Sequence, residues 1–283
     1  MTPVRPRPVY RPVVALGLAV ALALVTGLDA TVAARQRRMG MSNRLPQPTE
    51  TSFDGGFNFC RVAFQSGRGR RGAGWSVDYP RADVNLSIRL SELTRTRVSF
   101  DADREPRHFV LQLSDPMLFR CPFIMMTEPG GLLFDESEIA PLRDYLLKGG
   151  FLWADDFWGT AAWESFEQQM RRVLPAAAYP MRDLDPGHPL FHAQFPVADV
   201  KQIPSINFWA GTGGGTSENG GDSAVPHARA FLDQEGRMLV LATHNTDYGD
   251  AFEREGDNQD YFYEFSVDGY AFGINVLLYA MTH

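Results

Sequence analysis

Cysteine is nearly missing from this sequence: its 283 residues hold only Cys60 and Cys121. Neither lies in Cys-x-x-Cys spacing or beside a histidine, which excludes zinc-finger, haem-attachment and iron–sulfur chemistry. Each sits in an apolar, strand-like run, so the expectation is a pair of buried, inert thiols, with a disulfide as the other outcome. Lysine is confined to Lys148 and Lys201, neither of them in a Walker loop, and no function is drawn from that usage. Also lacking are a Gly-x-Ser-x-Gly elbow, a His-Glu-x-x-His helix and an EF-hand loop. No serine stands in a recognisable nucleophile turn, although a Ser–His–Asp set that assembles in space leaves no mark in the order of residues. Positive charge is in deficit, 27 Lys+Arg against 34 Asp+Glu for a formal net charge of -7. That balance argues against a nucleic-acid partner. The 44% hydrophobic, 12% aromatic and 22% charged content is that of an ordinary globular chain and excludes disorder, collagen and coiled coil.

What is present begins with an export pattern. Arg5, Arg7 and Arg11 precede an uncharged apolar run from Val13 to Leu28, followed by small residues up to Ala34. As a helix that run would rise about 24 Å, somewhat short of a ~30 Å hydrocarbon core. Residues 1–34 therefore read as a signal peptide or an N-terminal membrane anchor, which delivers the remainder outside the cytoplasmic membrane in either case. The expected location is periplasmic or extracytoplasmic, secreted or anchored. Residues 35–52 are polar and proline-rich and read as a flexible linker. Residues 53–283 read as one domain, with no internal repeat or second linker to divide them.

Within that domain, runs at Phe57–Phe64, His108–Leu113, Phe123–Met126, Phe151–Ala154 and Met238–Thr243 are apolar on consecutive residues. Such runs suit strands covered on both faces. Helical patterns lie between them, at Ala82–Leu93, Glu136–Lys148, Ala161–Leu174 and Tyr270–Met281. The alternation predicts an α/β fold with a mostly parallel sheet between two helix layers. Asp135 with Glu138 has capping-box spacing and Gly149 suits a C′ position. The glycine-rich stretches Ser66–Gly74 and Gly211–Asp222 read as mobile, solvated loops.

Ligands of an open parallel sheet bind beyond the carboxyl ends of its strands, so the residues that follow each strand are the candidates. They are Trp75, Asp78 and Tyr79 after the first strand, Asp155, Asp156 and Trp158 after the fourth, and His244, Asn245 and Asp247 after the last core strand. Asp155 and Asp156 are adjacent, so in extended chain only one faces the cleft, and the other is expected to cap the helix near Thr160 or to bind loop amides. His244, Asn245, Asp247 and Asp250 offer ligand chemistry for a hard cation, but the spacing matches no standard metal loop and turn formation is the plainer expectation. No metal and no cofactor is assigned. His188 and His192, beside Pro186 and Pro189, are expected to fix a turn. Trp75, Tyr79, Trp153, Trp158, Trp163 and Trp209 would form a sugar-stacking platform if several lined one crevice, with the core as the plainer expectation.

In order, Trp75, Asp78-Tyr79-Pro80, Pro122-Phe123, Thr127-Glu128-Pro129-Gly130, Leu142-Arg143-Asp144-Tyr145-Leu146, Gly149-Gly150-Phe151-Leu152, Asp155-Asp156-Phe157-Trp158-Gly159, His244-Asn245, Gly249-Asp250 and Gly273-Ile274-Asn275 form a distinctive series. It resembles a bacterial family of exported proteins known as a domain of unknown function, itself similar to the glutamine-amidotransferase-like superfamily that includes ThuA-type proteins. The resemblance implies a flavodoxin-like three-layer fold of the class I amidotransferase type. It also implies that Gly149–Ala154 is the strand ending at the nucleophile turn. True amidotransferases carry a cysteine in a Gly-x-Cys-x-Gly turn there, whereas this chain has Asp155-Asp156-Phe157, and a carboxylate does not reproduce a thiolate activated by histidine. His244 falls near the catalytic histidine of those enzymes. The expectation is thus a noncatalytic domain that binds a small polar ligand or a cell-envelope protein at the former active-site crevice. The alternative is a hydrolase, carbohydrate-directed or metal-assisted, that uses Asp155 or Asp156 with His244.

Overall fold

The computed structural model describes residue 45, residues 47–67 and residues 74–283. The segment 1–34 and the linker up to residue 44 lie outside the described residues, as does 68–73 of the first glycine-rich stretch. From residue 47 the chain already lies against the domain edge: Gln47 Nε2 donates to the Val110 carbonyl at 3.3 Å, and Arg107 Nη1 to the Ser52 carbonyl at 2.9 Å.

Nine strands are described: β1 (Phe59–Val62), β2 (Gln65–Ser66), β3 (His108–Leu111), β4 (Phe123–Thr127), β5 (Leu132–Leu133), β6 (Phe151–Asp155), β7 (Met181–Asp183), β8 (His227–Leu232) and β9 (Met238–His244). The helices that matter here are α1 (Arg81–Leu93), α2 (Glu136–Leu147), α3 (Thr160–Val173), α4 (Ile206–Thr212), α5 (Tyr248–Glu253) and α6 (Val267–Thr282). Seven strands form one sheet in the order β3-β1-β4-β6-β9-β8-β7. The first five are parallel, and β8 runs antiparallel between β9 and β7. β2 and β5 form a separate antiparallel pair. The chain leaves β1 for β3 on one side and returns to β4 on the other, which puts the topological switch point between β1 and β4.

Alternation along the buried strands, broken in β9 where Leu239 and Val240 face the same side, separates two cores. Phe59, Phe123, Met125, Phe151, Trp153 and Leu241 face α1, α5 and α6, whereas Val62, Ile124, Met126, Leu152, Ala154 and Val240 face α2 and α3. The result is a flavodoxin-like three-layer fold, as the alternation of apolar runs and amphipathic patterns predicts. The capping box is present, with the Asp135 amide donating to Glu138 Oε2 at 2.9 Å, and Gly149 follows the helix at φ 107°. Among the described residues no helix is long and apolar enough to cross a membrane.

The expectation of free thiols is corrected: Cys60 and Cys121 form a disulfide. Cys60 faces the α2/α3 side from β1, and Cys121 lies two residues before the adjacent β4, which puts the Cα atoms 6.2 Å apart and within bridging range. The expectation for 211–222 also needs correction. This stretch carries α4's C-terminal turn and then bonds back to the domain, with the Ser205 amide on Glu218 Oε1 at 2.7 Å and Thr216 Oγ1 on Gln202 Oε1 at 2.8 Å. His188 does fix its turn, its Nδ1 accepting from the Leu190 amide at 3.2 Å.

Candidate functional site

The site is assembled at the carboxyl ends of β1, β6 and β9. Arg61 points from β1 toward α1 and is fully buried. Its Nε donates to Asp83 at 3.0 and 3.1 Å, its Nη2 pairs with Asp83 Oδ1, and Nη1 reaches the Trp75 carbonyl at 3.1 Å, the Val77 carbonyl at 3.0 Å and Thr127 Oγ1 at 2.6 Å. One guanidinium thus ties the segment that carries Asp78 to β4. Asp78 itself has φ 60° and leads into α1.

The adjacent aspartates divide their work. Asp155, still in β6, is locked inside: Oδ1 accepts from Thr243 Oγ1 at 2.5 Å and Oδ2 from the Gly249 amide at 3.0 Å. Trp153 Nε1 donates to the same Thr243 hydroxyl at 2.8 Å, so Trp153 is a core residue. Burial pushes the Asp155 carboxyl up to about 7 against those bonds. Asp156 leaves the strand in the left-handed region, φ 60°, and its Oδ1 accepts from Trp158 Nε1 at 3.0 Å. Asp155 does accept from a backbone amide, but that of Gly249 in the first turn of α5 and not of a loop, and neither aspartate caps the helix at Thr160. Asp222 does, accepting from the Thr160 amide at 3.0 Å and from Thr160 Oγ1 at 2.6 Å. Gly159, at φ 82°, makes room for it, since a Cβ there would lie 2.5 Å from Asp222 Oδ2.

Asp156 meets Asp78 and Asp247. One carboxylate oxygen from each lies within 4.8 Å of the others, and the three residues are 7%, 7% and 3% exposed. Burial pushes all three carboxyls well above the ordinary range. Neighbouring carboxylates push them further, opposed at Asp78 by the Arg61 charge. Asp247 fulfils the turn expectation as well, since its Oδ1 accepts from the Asp250 amide at 2.7 Å as the N-cap of α5. Gly249 sits against the cluster: an added Cβ would lie 2.2 Å from Asp78 Oδ2 and 3.4 Å from Asp247 Oδ1.

His244 is held apart in function from this trio. Its Nε2–H donates to the Gly159 carbonyl at 3.0 Å and its Nδ1 accepts from Arg229 Nη1 at 3.3 Å, so both ring nitrogens have partners. Burial, then the Arg229 and His227 charges, lower it to about 4, leaving a neutral imidazole at pH 7. Asn245 is a bracket, accepting from the Gly159 amide at 2.8 Å and donating to the Val225 carbonyl at 2.8 Å. Trp75 and Tyr79 are half-buried and in tilted contact with one another, and Trp158 is half-buried beside Asp156.

Sequence reasoning passes over Arg61, Asp83, Glu128 and Gly249 as site-builders. The one available signal is Arg61, a charge in the middle of an apolar strand run, which demands a buried partner. Glu128 follows β4 at φ 50° and accepts from the Gly74 amide at 2.9 Å.

No curated protein matches the chain. The model of a family described as a domain of unknown function, DUF4159, matches residues 58–281, which takes in the whole seven-stranded sheet and every residue of the carboxylate site. The chain therefore belongs to the DUF4159 family.

Proposed function

We propose that this chain is an exported, noncatalytic binding domain that takes a small cationic ligand, free or displayed on a cell-envelope partner, at the carboxyl end of its parallel sheet. The observation that carries this reading is the convergence of Asp78, Asp156 and Asp247, three buried carboxylates drawn from three separate segments. Repulsion makes such a cluster costly unless positive charge enters it. The export half rests on the signal-like residues 1–34 together with the Cys60–Cys121 disulfide, a bond that persists in oxidising compartments. The left-handed Asp156 at a strand-to-helix turn supports descent from an amidotransferase-like scaffold whose nucleophile turn survives without its cysteine.

The test is a calorimetric and thermal-shift screen of the full-length chain against divalent cations, organic amines, neutral sugars and anions. Binding of positively charged probes that is lost in Asp156→Asn supports the reading. Binding restricted to neutral or anionic probes, or none at all, overturns it. The hydrolase reading is favoured by one observation, the elbow-like backbone of Asp156, and it requires turnover that disappears in the same variant. Against it, both nitrogens of His244 are already engaged, which leaves that histidine without a free base.

A further inference from the structure

Deepening that reading and resting on it, we propose that Asp78, Asp156 and Asp247 bind a hard divalent cation of the Ca2+, Mg2+ or Mn2+ class. Three acidic residues near one another do not make a site, but Asp78 supplies a second observation. Its Oδ2 is buried without a hydrogen-bond partner. That oxygen points at the bare face of Gly249, the same face that Asp247 Oδ1 approaches, so it is aimed into the cluster. A buried carboxylate oxygen left without a donor is costly, and a cation satisfies it where no protein donor reaches.

The nearby guanidinium groups are committed elsewhere. Arg61 donates from all three nitrogens, to Asp83, the two loop carbonyls and Thr127. Arg254 ion-pairs with Glu253 at 2.8 Å, with Asp257 at 3.2 Å and with Asp250 at 3.5 Å, although its buried Nε makes no hydrogen bond. Asp156 and Asp247 each use Oδ1 for a fixing bond, to Trp158 Nε1 and to the Asp250 amide, and those bonds orient the two carboxylates toward the trio. The donor set is all oxygen, with no sulfur and with the nearest histidine fully engaged, which selects hard cations over zinc or copper. A neighbouring grouping of Asp78, Asp250 and Glu253 is less suited, because Asp250 Oδ2 already accepts from the Ile206 amide at 2.5 Å and from Tyr261 Oη at 3.3 Å.

Trp158 offers a built-in reporter, since its indole is bonded to Asp156. The full-length chain, freed of metal by chelator, is titrated with Tb3+ while tryptophan-sensitised emission is read, and Ca2+, Mg2+ and Mn2+ are then used as competitors. The expected result is saturable emission, reversed by at least one of these cations, with affinity lowered about ten-fold or more in Asp78→Asn and Asp156→Asn. In parallel, each of these isosteric variants should melt higher than the wild type in chelator, because a repelling charge is gone, and should lose the rise in Tm that the cation gives the wild type. Absence of Tb3+ emission and of any Tm rise with millimolar Ca2+, Mg2+ and Mn2+ would overturn the proposal. So would variants that melt lower in chelator yet respond fully to cation, the mark of a merely structural cluster. If organic amines bind while the metal ions do not, the cation site falls and the broader binding reading stands; if neither binds, both fall.

Discussion

Replacing Arg61 with methionine removes the guanidinium that joins β1, α1 and the Asp78 segment, and its cost follows from burial. Both Arg61 and Asp83 have fully buried side chains, so Arg61→Met leaves a carboxylate with no access to water. Breaking such a pair from one side costs about 3–5 kcal/mol. The Trp75 and Val77 carbonyls and Thr127 lose a donor as well, but the bonds to the two carbonyls are only part-buried, so about 4 kcal/mol is a fair central figure. The matched double variant, Arg61→Met with Asp83→Leu, replaces two buried charges with apolar volume and should recover most of the loss, giving a coupling energy of roughly 3 kcal/mol. Urea unfolding of the oxidised protein, followed by tryptophan fluorescence, measures all three variants and the cycle. The double variant should still fail to bind cation as the wild type does, because the carbonyls that position Asp78 no longer have their donor. A single-variant loss under about 1 kcal/mol, or additive effects in the double, would refute the view that this pair is one buried unit.

Three further perturbations have signed outcomes. Cys60→Ala with Cys121→Ala opens a loop of 61 residues' separation and should lower stability by about 4 kcal/mol on the chain-entropy estimate, read as a lower urea midpoint; an unchanged midpoint would show that the bridge constrains nothing. Gly249→Ala forces a methyl to within 2.2 Å of Asp78 Oδ2 and should cost about 1–3 kcal/mol while abolishing the Tb3+ signal, so retention of both stability and emission would contradict the packing described. His244 is lowered to about 4 in the folded chain, against 6.5 unfolded, so its contribution is whole above pH 6.5 and fades as pH falls toward 4. The stability advantage of wild type over His244→Asn should therefore shrink by up to about 3 kcal/mol between pH 7 and pH 4, and an advantage that grows with acid would reverse the sign of the argument.

Much of the sheet was legible because a strand covered on both faces has to be largely apolar, and β1, β4, β6 and β9 are apolar except at Arg61 and at their carboxyl ends, Thr127, Asp155, Thr243 and His244. The antiparallel edge was not. β8 alternates Ala228, Arg229, Ala230 toward two environments, and β7 is three residues long, so neither produces an uninterrupted run. α5 was hidden for a different reason: Asp247 is an N-cap, and a cap looks like a turn residue until the helix behind it is known. The disulfide depends on how β1 lies beside the segment before β4, a relation that spacing within the chain does not encode.

The rule of two for strands identified one inward aspartate and one outward, yet the reason Asp156 reaches Asp78 and Asp247 lies in the backbone. Three residues that directly follow parallel strands, Glu128 after β4, Asp156 after β6 and Asn245 after β9, all take left-handed φ, at 50°, 60° and 62°. None is glycine, and each such residue costs on the order of 1 kcal/mol or more in backbone strain. Each also makes a side-chain bond that a glycine would forfeit: Glu128 to the Gly74 amide, Asp156 to the Trp158 indole, Asn245 to the Gly159 amide and the Val225 carbonyl. Glycine at these positions would relax the turn and dissolve the bracket around it. Strain borne three times at the carboxyl ends of adjacent strands, beside a cluster of carboxylates that repel one another, is a cost that the proposed cation-binding role would account for, because a fold optimised for stability alone would have relieved both with substitutions one side chain in size.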